Sequence, residues 1–209
     1  MDGLLFDTER LSRRALHAAA DDLGVALPED AFLELIGRRG TDIFQRLAAR
    51  VGDEALTTRL VARSEEHYEI LLAQGVPVKE GAWDLLAWLA EQGRPCAVAT
   101  STRTPKAERK LVAAKLRGFF SAVIGGDQVE RGKPAPDIYL RAAAALGVAA
   151  EQCGVFEDSE PGLQAAHAAG ARTVWIPDLA PVARATQQLA AARADSLRDV
   201  LAFLKNGRS

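Results

Sequence analysis

The residues best suited to chemistry fall in four short clusters: Asp2-Gly3, Thr100-Ser101-Thr102, Gly132-Lys133-Pro134 and Glu157-Asp158-Ser159. Carboxylate oxygens are hard ligands that suit Mg²⁺, and Mg²⁺ in turn takes phosphate oxygens. Threonine and serine hydroxyls, with main-chain N–H groups at the start of a helix, hold a phosphate. A lysine neutralises charge as a phosphoryl group transfers. Taken singly, each cluster has an ordinary reading. Glu157-Asp158 would be a solvated loop, Lys133 a surface lysine, Thr100 a hydroxyl bonded to its own backbone, and Asp2 an exposed terminal residue. Their placement argues otherwise. Thr100 and Glu157 close short apolar runs, and Lys133 lies in the loop after a third.

The elements that must position these clusters are legible in the residue pattern. Residues 8 to about 75 read as one helix after another. Leu11, Ala15, Ala18 and Ala19 recur at helical spacing, and Gly24 ends that segment. A second helix is expected from Pro28 to Gly37, a third from about Thr41 to Val51, and a fourth from an Asp53 cap to Gln74. After Gly75-Val76-Pro77 the pattern changes. A helix carrying Ala82, Leu85, Leu86 and Leu89 on one face ends at Gly93. Apolar strands then follow at Pro95–Thr100, Ala122–Gly125, Gly154–Glu157 and Arg172–Ile176. Between them lie helices starting at Thr104-Pro105, Asp137 and Pro161, and a last helix covers about Leu197 to Leu204. Continuous apolar strands alternating with helices imply a parallel sheet covered on both faces. Ligands of such sheets bind beyond the carboxyl ends of the strands. The fold expected is therefore α/β, a Rossmann-like parallel sheet with an inserted helical bundle. Residues 1–7 and 78–209 form the core and residues 8–77 the insertion.

Composition narrows the function classes. The chain has 209 residues and a formal net charge of −2, which gives no electrostatic case for nucleic acid or an anionic membrane. No apolar run approaches the roughly 18–20 residues that span a bilayer. The first residues carry no basic-then-apolar signal pattern, so a cytoplasmic location is expected. Cys96 and Cys153 read as reduced thiols beside strands rather than as a disulfide. His17, His67 and His167 are scattered and lack ligand spacing.

Four segments together resemble the haloacid dehalogenase superfamily of hydrolases, in the group with a helical cap that includes β-phosphoglucomutase and small phosphatases. They are Asp2-Gly3-Leu4-Leu5-Phe6-Asp7-Thr8-Glu9, Ala99-Thr100-Ser101-Thr102, Gly132-Lys133-Pro134-Ala135-Pro136-Asp137 and Phe156-Glu157-Asp158-Ser159-Glu160-Pro161-Gly162. Each is a modest signal, and four in order are a specific one. The resemblance implies roles by position. Asp2 matches the general acid/base, whose main-chain carbonyl also binds Mg²⁺. Thr100, with Ser101 beside it, matches the hydroxyl residue that holds the phosphoryl group. Lys133 matches the lysine that steadies nucleophile and phosphate. Asp158 matches a Mg²⁺ ligand, with Glu157 as a further ligand or supporting carboxylate. The helical insertion matches a cap that closes over the site. Arg38 and Arg39, between two cap helices, could grip an anionic substrate, or they are a solvated basic turn.

The implied activity is a Mg²⁺-dependent phosphomonoester hydrolase acting on a small phosphorylated metabolite. In the family an aspartate attacks phosphorus, and water then opens the aspartyl-phosphate. Mutases of the group carry a histidine ten residues past the acid/base aspartate. Here that position is Ser12, which favours the phosphatase over a phosphosugar mutase. In the family motif, Asp-x-Asp-Gly, Met1 stands at the x. The resemblance thus implies that the attacking aspartate and its strand would precede Met1, between the strands ending at Thr100 and Glu157, with Met1 an internal residue. The spacing of Asp2 to Gly3 and Asp7 fits the second motif aspartate and not the nucleophile. A non-catalytic binding protein is the alternative from another class.

Overall fold

The structure is a computed structural model that describes residues 1–28, 31–32, 34–35 and 40–207. The chain forms two compact units, Asp7–Val76 and Met1–Phe6 with Pro77–Ser209.

The first unit contains α1 (Thr8–Leu23), α2 (Gly40–Val51) and α3 (Glu54–Gln74). Helix α1 buries Leu11, Ala15, Leu16 and Ala19 and stops at Gly24, whose φ of 64° suits a residue without Cβ. Asp53 caps α3 by accepting the Leu56 N–H at 2.9 Å. Leu16, Ala19, Phe32, Leu47 and Leu60 form its core. Trimming Leu47 or Leu60 to alanine would cost about 2–5 kcal/mol. The helix expected from Pro28 to Gly37 falls partly outside the described residues.

The second unit alternates α4 (Ala82–Glu91), β1 (Cys96–Ala99), α5 (Thr104–Ala113), β2 (Phe120–Ile124), α6 (Asp137–Ala145), β3 (Gly154–Glu157), α7 (Glu160–Ala168), β4 (Arg172–Trp175), α8 (Arg184–Gln187), β5 (Ala192–Arg193) and α9 (Leu197–Asn206). These strands pair in parallel. The strands form a two-stranded sheet, β1-β2, and a three-stranded sheet, β3-β4-β5. Ile124, Ile138, Tyr139, Ala165 and Ala166 make a core under α6 and α7, with Ala97, Ala99 and Val155 against it. The small alanine side chains let these helices approach the strands closely.

Some local details differ from the pattern read in the sequence. Strand β2 starts at Phe120, two residues before the expected Ala122. Pro105 is the second residue of α5, and the cap is remote: Asp127 accepts the Thr104 N–H at 2.7 Å and its hydroxyl at 2.8 Å. The short α8 and β5 carry too few residues for a periodic signal. Cys96 and Cys153 are free thiols. No described helix is long and apolar enough to cross a membrane.

Candidate active site

Glu157 closes β3, and its carboxylate is 5% exposed. Lys133, equally buried, reaches it from the loop before α6 and forms a short ion pair with Oε1. The Lys133 ammonium also donates to the Ala99 carbonyl at 3.4 Å and to the Tyr139 hydroxyl at 2.8 Å. Tyr139 in turn donates to Glu157 Oε1 at 2.6 Å. The second carboxylate oxygen accepts the Asp158 and Ser159 N–H groups and the Ser159 hydroxyl, each at 3.0 Å. Glu157 therefore sits against the N-terminus of α7, where helix dipole and main-chain donors favour an anion. Burial alone would raise its pKa. The Lys133 charge and these hydrogen bonds outweigh that and hold it well below the usual range.

Asp158, the next residue, is in the opposite state. Burial, and then the neighbouring Glu157 charge, push its pKa up to about 7. The described residues give its carboxylate no hydrogen bond, whereas Glu157 takes five. A Cβ on Gly3 would lie 2.3 Å from Asp158 Oδ2 and 3.0 Å from Asp178 Oδ2. Gly3 has φ of 77°, so any side chain there would be strained as well as blocked. Two carboxylates thus close on one bare stretch of backbone. Asp178 forms a short ion pair with Lys79.

Asp2 is held from two sides. The Lys110 ammonium donates to Oδ1 at 2.6 Å and the Thr102 hydroxyl to Oδ2 at 2.7 Å. Burial opposes the charged form, but the Lys110 charge and the hydrogen bonds from Lys110 and Thr102 act to lower the Asp2 pKa. Asp2 is therefore an anion near neutrality. Thr100 is 4% exposed, and its hydroxyl accepts the Thr102 N–H at 3.2 Å. The buried Ser101 hydroxyl has no hydrogen-bond partner among the described residues. A buried hydroxyl in that state is costly unless something accepts from it.

Contacts and chain connectivity link Asp2, Thr100, Lys133, Glu157 and Asp158 in one neighbourhood. Arg38 and Arg39 lie outside the described residues. Four participants gave no signal in the sequence. Lys110 reads as a helix-surface lysine but is 3% exposed. Tyr139 reads as a core aromatic, and Lys79 and Asp178 read as loop charges. Their roles arise from contacts across 108, 18 and 99 positions.

For a divalent cation the donors fit in part. Asp158 is a buried carboxylate that accepts no hydrogen bond from the described residues, and Asp178 is near it. The carboxylates of Asp2 and Glu157 are spent on Lys110 and Lys133. Accordingly, the described residues contain no cluster of three His, Cys, Asp or Glu side chains able to hold a metal ion. A cation here would rest on Asp158, main-chain oxygens, water and substrate, the mixed shell that Mg²⁺ accepts.

Parallel strands with charged groups at their carboxyl ends, alternating with helices, define an α/β enzyme that works at those strand ends. The chain belongs to the haloacid dehalogenase-like hydrolase family, whose sequence profile matches residues 1–176. It is 32% identical over 179 residues to a phosphorylated carbohydrates phosphatase of Thermotoga maritima, covering 84% of this chain and 81% of the relative. It is 34% identical over 177 residues to the fructose-1-phosphate phosphatase YqaB of Escherichia coli K12, covering 84% and 93%. Among solved structures, a Thermotoga maritima protein carrying the provisional name beta-phosphoglucomutase superposes with a TM-score of 0.86. That match has 28% identity and covers 99% of this chain and 96% of the other.

Proposed function

We propose that this protein is a Mg²⁺-dependent phosphomonoester hydrolase of the cytoplasm, acting on a small phosphorylated carbohydrate. The observation that carries the reading is the contrast between adjacent carboxylates. Glu157 is locked by Lys133, while Asp158 is buried beside Gly3 and Asp178 and its carboxylate accepts no hydrogen bond from the described residues, which suits a ligand of a cation. Bound Mg²⁺ would be held by Asp158 with the Asp2 main-chain carbonyl, and would supply charge for the phosphate oxygens. Ser101, with its unpartnered buried hydroxyl, and Thr100 would hold the phosphoryl group. Lys133 would offset its charge, and Asp2, kept anionic by Lys110, would take a proton from water. The helical unit, with Arg38 and Arg39, would serve as the cap that selects the substrate. Relatives named for phosphorylated carbohydrates and fructose 1-phosphate favour that substrate class.

The test is phosphate release from fructose 1-phosphate and glucose 1-phosphate, with and without Mg²⁺. Release that needs Mg²⁺ and falls at least about 100-fold in Asp158→Asn supports the reading. Conversion of glucose 1-phosphate to glucose 6-phosphate would establish a mutase instead. The engagement of Asp2 by Lys110 favours a second reading, a metabolite-binding protein, which predicts Mg²⁺-dependent phosphate binding without release.

A further inference from the structure

The Lys133 ammonium meets three acceptors among the described residues: Glu157 Oε1, the Tyr139 hydroxyl at 2.8 Å and the Ala99 carbonyl at 3.4 Å. An ammonium has three N–H groups, so each has a partner. We propose that Tyr139 is a positioning residue of the active site. Its phenol, together with Glu157, fixes two of those N–H groups and directs the third to the carboxyl end of β1, where it takes an oxygen of the substrate's phosphoryl group. This role deepens the phosphohydrolase reading and rests on it.

Three observations carry the proposal. The first is a closed ring of hydrogen bonds. An ammonium only donates and a carboxylate only accepts, so a phenol between them must do both. Tyr139 accepts from Lys133 and donates to Glu157 Oε1 at 2.6 Å, and that same oxygen takes the ammonium directly. Each of the three groups touches the other two. The Lys133 and Glu157 side chains are both buried, so neither can turn without leaving a charge underpaired.

The second is the anchorage of the phenol. Tyr139 is the third residue of α6, is buried, and belongs to the core cluster of Ile124, Ile138, Ala142 and Ala143. The Ala135 N–H donates to the Gly132 carbonyl and the Tyr139 N–H to the Pro136 carbonyl, each at 3.0 Å. These turns bring the chain from Lys133 back to a partner six residues on. The ring is held by helix and core, whereas a lysine ammonium rides on a flexible four-carbon stem. The phenol is the fixed post and the lysine the group that needs one.

The third is the inequality of the contacts. At 3.4 Å the Ala99 carbonyl lies beyond the usual N–H to oxygen range of about 2.7–3.2 Å. That N–H is the one most readily handed to an anion. Ala99 closes β1, and Thr100 and Ser101 follow it. The buried Ser101 hydroxyl has no partner among the described residues. The exchangeable N–H and the hydroxyls are thus presented at one strand end.

The experiment uses Tyr139→Phe in the 209-residue chain. Phenylalanine keeps the ring, whose centroid lies 4.7 Å from the ammonium, and removes only the hydroxyl. Amine labelling with acetic anhydride, read by mass spectrometry without ligand, compares Lys133 with Lys110, which is also buried. Lys133 labelling should rise at least about fivefold while Lys110 keeps the parent rate. Calorimetry with inorganic phosphate and Mg²⁺ should show phosphate affinity lowered at least about tenfold. Lys133 labelled at the parent rate overturns the proposal. So does a rise shared by Lys110, the mark of a loosened fold, and so does phosphate affinity equal to the parent's. Phosphate release from fructose 1-phosphate is read in the same samples. A parent that binds no phosphate overturns the hydrolase reading and this role together. Binding without release removes the hydrolase alone, and release with Tyr139→Phe unchanged removes this role alone.

Discussion

Burial and the Glu157 charge raise Asp158 to about 7, and this gives the site a titration that can be measured. An unfolded Asp titrates near its ordinary value of 3.8. Between those values the folded chain keeps a proton that the unfolded chain releases. Protonation therefore stabilises the fold, and the contribution falls as pH rises through that window. A cation reverses the balance, because it binds the ionised form. At pH 7, Mg²⁺ binding should release about half a proton, declining towards none by about pH 9. Calorimetric titration in buffers of different ionisation enthalpy reads this directly. The release should vanish in Asp158→Asn, and a release unchanged in that variant would place the cation elsewhere.

Between elements, the contact that fixes the site is the seating of Glu157 on the first turn of α7. A Cβ on Gly162 would lie 2.0 Å from the Glu157 Cδ and within 2.2 Å of both its oxygens. Glycine is required there by close approach and not by its backbone angles. Gly162→Ala would gain up to about 1 kcal/mol of helix propensity. It would also drive Glu157 off the helix and strain its pairing with Lys133, an overpacking cost of about 1–3 kcal/mol. The net expectation is a chain destabilised by up to about 2 kcal/mol in urea, with an Asp158 pKa closer to its ordinary value as the Glu157 charge moves off. A variant more stable than the parent, with the Asp158 pKa unchanged, would mean that Glu157 has room to shift. The N-cap of Ser159 on the Gly162 N–H, at 3.2 Å, binds the same turn from the other side.

For the whole molecule, the decisive feature is how the helical unit joins the rest. Phe6 and Val78 form an antiparallel bridge, and the Lys79 N–H donates to the Leu5 carbonyl at 2.8 Å. The chain leaves the α/β unit and returns to it at one place. Replacing Asp7–Val76 with a short Gly-Ser linker closes that gap at small entropic cost. Each unit has its own apolar cluster. The excised protein should keep a cooperative thermal transition and parallel-sheet circular dichroism while losing substrate discrimination. Loss of the transition would show that the α/β unit depends on the helices for its stability.

Much of this was legible in the sequence, for physical reasons. Helix α1 ends where Gly24 permits a positive φ, α3 starts where Asp53 supplies an acceptor, and the short runs at 96–99 and 154–157, set between helical patterns, fit strands. Those signals act over a few residues, so local propensity is enough to read them. The same holds for Thr100, Lys133, Glu157 and Asp158, because strand ends in a parallel sheet share an edge. Other features depended on the tertiary structure. Nothing near Lys110 announces a partner 108 positions away, and nothing in Glu157-Asp158 says which carboxylate the lysine will take. That choice splits two adjacent acids into one held low and one raised, because charge and burial in three dimensions set a pKa while sequence neighbours do not.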